Sequence, residues 1–383
     1  MIKSKLPNVG TTIFTVMSKL AAEHNAINLG QGFPGFQMDM KIADLVHSYM
    51  KKGFNQYAPM QGTIELRRVI ADKINVMYGH SYSPDHEITI TAGGTQAIFT
   101  AISSLVHPGD EVVMFAPAYD CYAPAVELNG GIPVWINLTF PDFRINWEEV
   151  KNKLNERTKL IIINSPHNPS GTVMSADDMS QLEFLVKDRE MFVLSDEVYE
   201  HLIFDGVKHE SVSRYPDLAK KSLIVFSFGK TFHNTGWKMG YICAPEYLMN
   251  EFRKVHQFNV FSCNTPIQYA LADYMSDKDT YLKLPGFFQE KRDKFLAALQ
   301  GSAFTYKPAD GTYFQVLGYD GLFDEADTAL AVRLTTDFGI ASIPCSVFYP
   351  VDAGQNALRF CFAKEDNLLE KAGRILGTIT GLN

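Results

Sequence analysis

Residues 222–241 read SLIVFSFGKTFHNTGWKMGY. The opening run, Ser222 to Phe226, has the continuous apolar character of a strand buried on both faces. Polar chemistry begins where the run stops, with Ser227, then Lys230, then Lys238 eight residues later. In open parallel sheets, ligands bind beyond the carboxyl ends of the strands. A lysine at such an end raises the question of what the other strands end in.

Working outward, short apolar runs alternate with helical patterns. HEITITAGG reads as a strand and TQAIFTAISSLV as the helix after it. DEVVMFAPAY is a strand and DCYAPAVELNG is helical. KLIIINSPHNPSG is a strand entering a loop, MSADDMSQLEFLVKDRE a helix, and MFVLSDEVY a strand. This alternation predicts an α/β fold with a mostly parallel central sheet covered by helices. The last hundred residues are less regular. PGFFQEKRDKFLAALQG, DTALAVRLTTDFG and EDNLLEKAGRILGTI are helical, FTYKPADGTYFQVLGY reads as a hairpin or paired strands, and IASIPCSVFY and ALRFCFA read as strands. They predict a second, smaller α+β domain. The expected division is a large domain of residues 46–275 and a small one formed by residues 1–45 with 276–383.

A chain of 383 residues suits two domains. The hydrophobic fraction of 46% and the charged fraction of 20% are those of a globular protein with a sizeable core. The net charge of -8 and the lack of any Lys/Arg run argue against nucleic acid or an anionic membrane as a partner. The five cysteines are scattered with no C-x-x-C pair, so neither a disulfide framework nor a zinc site is expected, and the cytoplasm fits best. No H-E-x-x-H pattern supports a metal site. No signal-peptide pattern or membrane-spanning window is present.

The strand ends supply a consistent set of groups. They are the Gly93-Gly94-Thr95 turn, Tyr119, Asn168 within SPHNPSG, Asp196 with Tyr199 in SDEVYEHL, and Ser227 with Lys230 and Lys238. A glycine turn opening a helix attracts a phosphate through free N–H groups and the helix dipole. A lysine at a buried strand end can form a Schiff base with an aldehyde. A carboxylate directly after an apolar run needs a cationic partner, which a protonated pyridine nitrogen would supply. Each has an ordinary reading as well: a plain strand–helix turn, a solvated lysine, an aromatic that simply packs. Asp196 could equally N-cap a helical EVYEHLIF. Together the groups describe pyridoxal 5'-phosphate.

The segments NSPHNPSG, SDEVYEHL and SFGKTFHNTGWKMGY resemble the motifs of class I aminotransferases of the fold-type-I pyridoxal-phosphate superfamily. INLGQGFPGF, NQYAPMQGTIELR and ALRFCFA extend the match from about residue 10 to the C-terminus. GTTIFTVMSKLAAEHNAINLGQGFP is similar to the methionine aminotransferases related to kynurenine–glutamine aminotransferases. The resemblance implies that Lys230 is the Schiff-base lysine and that Asp196 meets the ring nitrogen. Asn168 and Tyr199 then meet the ring oxygen, and Tyr119 stacks on the ring. Gly94, Thr95, Ser227 and Lys238 cradle the phosphate. Many relatives have arginine where Lys238 stands. Tyr57 matches a tyrosine that reaches the phosphate of the neighbouring subunit, which implies a homodimer. Arg359 matches the residue gripping the substrate α-carboxylate, with Gly32, Asn168 and Phe14 beside it.

The implied activity is ping-pong transfer of an amino group from an apolar or aromatic L-amino acid to a 2-oxo acid. Methionine is the leading donor, ahead of phenylalanine, tyrosine and kynurenine. The same residues would serve a cysteine-S-conjugate β-lyase or a kynurenine–oxoglutarate transaminase. A regulatory protein borrowing the fold would need a DNA-binding segment that the chain lacks. TAGGTQA lacks the G-x-G-x-x-G spacing of a dinucleotide-binding oxidoreductase.

Overall fold

The computed structural model describes residues 2–7, 9–351 and 355–379. The chain enters through helix Ile13–Glu23 and a two-residue strand, β1 (Ile27–Asn28). Seven strands then build the main sheet: β2 (Ile88–Thr91), β3 (Glu111–Ala116), β4 (Ile132–Asn137), β5 (Thr158–Asn164), β6 (Phe192–Asp196), β7 (Ser222–Ser227) and β8 (Gly240–Cys243). Their spatial order is β2-β8-β7-β6-β5-β3-β4. The pairs from β7 through β4 are parallel, while β8 runs antiparallel to both its neighbours.

The apolar runs form strands because both faces of the sheet are covered. Val113, Phe115, Ile161, Ile163, Val193, Ile224 and Phe226 enter one core. The residues between them, Val112, Met114, Leu160, Ile162, Leu194, Leu223 and Val225, enter another on the opposite face. Each such side chain contributes about 1.5–3 kcal/mol of burial, and a one-residue slip would exchange the two sets. Helix Gly94–Leu105 lies on the second face. Helix Ala176–Val186 lies on the first and opens with a reciprocal Ser175–Asp178 capping box.

A third core surrounds a three-stranded antiparallel sheet, β11-β12-β9, built from β9 (Phe314–Gly318), β11 (Ile343–Pro344) and β12 (Ala357–Cys361). Helices Leu284–Ala298 and Asp366–Gly377 cover it through Phe288, Phe295, Leu369 and Leu376. A short strand, β10 (Ile340–Ala341), pairs in parallel with β1, so the N-terminal segment packs with the C-terminal part.

Four local expectations change. β4 hides behind Gly130-Gly131 and β8 behind the Lys238 turn, so neither stands out in the sequence. The segment 304–319 is not a full hairpin; β9 meets Thr305 through a single bridge at Gly318. IASIPCSVFY splits into β10, β11 and a 3₁₀ turn at Ser346–Phe348. EVYEHLIF is not helical but a series of turns, so Asp196 caps no helix there. The reason is tertiary. Glu197 accepts from His209 Nε2 at 2.8 Å and from Val212 N at 3.0 Å, and Glu200 is bonded to Lys73 and Tyr78. These buried anchors fix the turn against any helical preference.

Candidate active site

β5, β6 and β7 end side by side, and the turn after β2 opens toward the same edge. A cavity of about 260 Å³ lies there. It is lined by Phe14, Gly32, Gly94, Thr95, Tyr119, Asn168, Asp196, Tyr199, Ser227, Lys230, Lys238 and Arg359. Twelve of the thirteen residues expected at the site therefore converge, although they come from positions 14 to 359. Tyr57, which the resemblance assigns to the phosphate of a neighbouring subunit, lies outside this cavity. It is 81% exposed and packs edge-on against Phe261, ring centroids 5.3 Å apart.

At one end of the cavity, Gly93 takes φ +84 and starts helix Gly94–Leu105, leaving the first-turn N–H groups without helical partners. A Cβ on Gly94 would stand 3.0 Å from Val198 Cγ1, so the backbone here allows close approach. Thr95 Oγ1 and the Tyr119 hydroxyl share a hydrogen bond of 3.1 Å. Ser227 caps the single helical turn Phe228–Thr231, accepting from Lys230 N at 3.3 Å. Lys238 holds the left-handed conformation, φ 54, just before β8 returns antiparallel along β7.

At the centre, Asp196 is buried. Tyr122 Oη donates to Asp196 Oδ2 at 2.6 Å, and the Val198 N–H donates to Oδ1 at 3.3 Å. No cation among the described residues lies within 4.0 Å of the carboxylate. Burial pushes its pKa up to about 6, with the Tyr122 hydrogen bond holding it down. Lys230 Nζ donates to Gly32 O at 3.1 Å and to Tyr313 Oη at 3.0 Å; Tyr313 in turn donates to Gly32 O at 2.7 Å. Burial lowers the Lys230 pKa to about 8, which makes a neutral amine accessible near physiological pH.

At the far end, Arg359 sits in β12, 1% exposed. Nη1 donates to Asn168 Oδ1 at 2.8 Å and Nη2 to Gly30 O at 3.0 Å, while the buried Nε has no partner among the described residues. The guanidinium lies 3.9 Å from the centre of the Phe314 ring, with Phe14 and Phe348 also beside it. No carboxylate among the described residues pairs with it. A desolvated guanidinium lacking a counter-ion is costly, and an incoming carboxylate would relieve that cost.

Sequence reasoning missed Tyr122, Asn164, Asp120 and Tyr313. Asn164 ends β5, donates to Asp196 O at 2.8 Å and accepts from Asn168 N at 2.8 Å, so it ties two site segments together. Its place at a strand end was a usable signal. Tyr122 and Tyr313 gave none, since a phenol's partner is set by tertiary packing. Among the described residues, no cluster of His, Cys, Asp or Glu is placed to hold a metal ion, and no helix is long and apolar enough to cross a membrane.

Comparison with known proteins matches this arrangement. The family profile "Aminotransferase class I and II" covers residues 24–375. The chain is 46% identical to methionine aminotransferase of Escherichia coli, over 98% of this chain and 97% of that protein. It is 32% identical to rat kynurenine–oxoglutarate transaminase 3, over 98% and 89% respectively. The crystal structure of YbdL from Escherichia coli, for which a methionine aminotransferase function was identified, superposes with a TM-score of 0.97 at 45% identity, covering 98% of this chain and 99% of that one. A buried lysine, a buried carboxylate and a buried guanidinium around one cavity thus stand on the scaffold these enzymes share. The chain is an aminotransferase and belongs to the aminotransferase class I and II family.

Proposed function

We propose that this aminotransferase uses pyridoxal 5'-phosphate to move the amino group of an apolar or aromatic L-amino acid, methionine foremost, to a 2-oxo acid. The carrying observation is the convergence of Lys230, Asp196 and Arg359 on one cavity. The residues fit the cofactor in three respects. Asp196 is a buried carboxylate without a cationic partner among the described residues, Lys230 brings an amine to the same cavity, and helix Gly94–Leu105 opens at that cavity with first-turn N–H groups free to bind a phosphate. When bound, the cofactor supplies an aldehyde that condenses with amines and a ring that accepts the electron pair left at the substrate Cα.

The protein's own groups divide the remaining work. Asp196 holds the proton on the ring nitrogen. Asn168 and Tyr199 donate to the ring oxygen, Tyr119 covers the ring, and Gly94, Thr95, Ser227 and Lys238 hold the phosphate. Arg359 binds the α-carboxylate, with Asn168 and Gly32 fixing its plane and Phe14 beside it. Lys230 Nζ takes the Cα proton as an amine and returns it elsewhere as an ammonium. Its lowered pKa allows both forms near neutrality.

Phe14, Tyr199 and Phe314 give the cavity apolar and aromatic walls, which favour a thioether or phenyl side chain over a charged one. The relationship to the Escherichia coli methionine aminotransferase supports the same choice. Tyr57 and Phe261, exposed together, would reach the phosphate and substrate of a second subunit in a homodimer. The two-part division into residues 46–275 and residues 1–45 with 276–383 belongs to this reading, as does a cytoplasmic location suggested by five unpaired cysteines. A donor panel at fixed 2-oxo acid tests the assignment. Methionine and phenylalanine should exceed aspartate in kcat/KM, with the cofactor spectrum changing on donor addition; an unchanged spectrum for every donor would exclude transamination.

A further inference from the structure

A second cavity, about 340 Å³ and larger than the first, lies behind the active site. Asn164 lines both, and Tyr122 lines the rear one while its hydroxyl bonds Asp196 of the first, so the two side chains stand between them. On the active-site side these are the two side chains that bond Asp196, Tyr122 at its carboxylate and Asn164 at its carbonyl. The loop from Asn164 to Ser175 separates the cavities as well. Asn168 faces forward to Arg359, while His167, Thr172 and Met174 line the rear space. Lys307 and Asp310 close the rear cavity from the C-terminal part of the chain, shortly before Tyr313 and Phe314.

The lining has one chemical sense. The floor is apolar, formed by Phe115, Leu138, Ile162, Ile163 and Met174 around an unfilled volume, where protein interiors are otherwise close-packed. The rim is charged, but most of its carboxylates are engaged. Asp142 pairs with Lys307 at 3.2 Å, Asp178 accepts from Trp147 Nε1 at 2.9 Å, and Glu210 accepts from Tyr215 Oη at 3.0 Å. Arg144 and Lys208 make no hydrogen bond or ion pair among the described residues, against one unengaged carboxylate, that of Asp310. An apolar floor under unengaged cations suits a molecule with a hydrophobic body and a single carboxylate.

We infer that the rear cavity is an effector site for a small monocarboxylate with an apolar or aromatic body, coupled to the active site through Tyr122 and Asn164. A ligand seated against the Tyr122 ring bears on a hydroxyl 2.6 Å from Asp196, and one touching Lys307 and Asp310 also bears on the segment carrying Tyr313. The site is distinct from the Arg359 pocket, so its occupancy is independent of whether methionine is the true donor.

Calorimetric titration of the cofactor-loaded, full-length protein with 3-phenylpropanoate tests this, since that probe has neither an amino nor an oxo group to react. In Arg359→Ala, which lacks the active-site carboxylate partner, one binding site should remain. Its Kd should rise at least tenfold when Arg144→Ala and Lys208→Ala are added. Val207→Trp, at an exposed lining position, should block the mouth and weaken binding similarly without touching the core. Probe binding to Arg359→Ala should also alter the pH dependence of the cofactor absorbance, and Tyr122→Phe should remove that effect. Loss of all binding in Arg359→Ala would overturn the inference, as would a Kd within threefold of the parent after both rim changes. Binding with no spectroscopic effect would overturn the coupling.

Discussion

Tyr122→Phe isolates the hydrogen bond that keeps Asp196 ionised. The change removes one oxygen and leaves the buried ring, so packing is retained. The bond lost is a 2.6 Å donation to Asp196 Oδ2, and the remaining donor, Val198 N, is longer at 3.3 Å. A hydrogen bond to a charged group contributes about 1.5–3 kcal/mol, and each pKa unit corresponds to about 1.4 kcal/mol. Asp196, now at about 6, should therefore rise by roughly 1–2 units. The sign follows from charge: donation favours the carboxylate, so losing it favours the acid. Cofactor binding requires the carboxylate opposite the protonated ring nitrogen. At pH 7 the ionised fraction should drop from about nine-tenths to between a half and a tenth, weakening apparent cofactor affinity roughly 2- to 10-fold. Near pH 9 the two proteins should converge. Absorbance titration of cofactor into cofactor-free protein from pH 5 to 9 reads the shift directly. Tyr119→Phe, which loses only the bond to Thr95, should leave the acid limb in place. Superimposable pH curves for wild type and Tyr122→Phe would refute the reasoning.

Lys230→Ala should abolish turnover while far-ultraviolet circular dichroism and phosphate binding persist; normal turnover would remove Lys230 from its role. Arg359→Lys keeps the charge but loses the fork held by Asn168 and Gly30, so kcat/KM for α-carboxylate substrates should fall about 100-fold, near 3 kcal/mol, as steady-state kinetics would read. Lys73→Met strands the buried Glu200 carboxylate, which would then be left with Tyr78, Tyr241 and the His201 ring; denaturant unfolding should show a loss of about 3–5 kcal/mol. In cofactor-free protein the raised Asp196 pKa means the unfolded chain releases its proton first, so stability should decline from about pH 4 to 6 as pH rises. Asp196→Asn should flatten that decline in the thermal unfolding midpoint.

The sequence by itself determined what is local. Apolar runs marked β2, β3, β5, β6 and β7, and the residues at their ends named most of the site, because a strand's burial and its exit point are written in adjacent residues. The glycine turn before helix Gly94–Leu105 was legible for the same reason. Tertiary structure decided what depends on residues distant in the chain. It placed Tyr122 on Asp196, Tyr313 under Lys230, and Arg359 among phenyl rings with no counter-ion among the described residues. It also turned EVYEHLIF away from a helix, through anchors at Lys73, Tyr78 and His209. It placed Tyr57 on the exposed surface beside Phe261, outside this chain's own cavity. Desolvation is the underlying cause. The chemistry of an amine or a carboxylate depends on how much water remains around it, and only the packed fold fixes that amount.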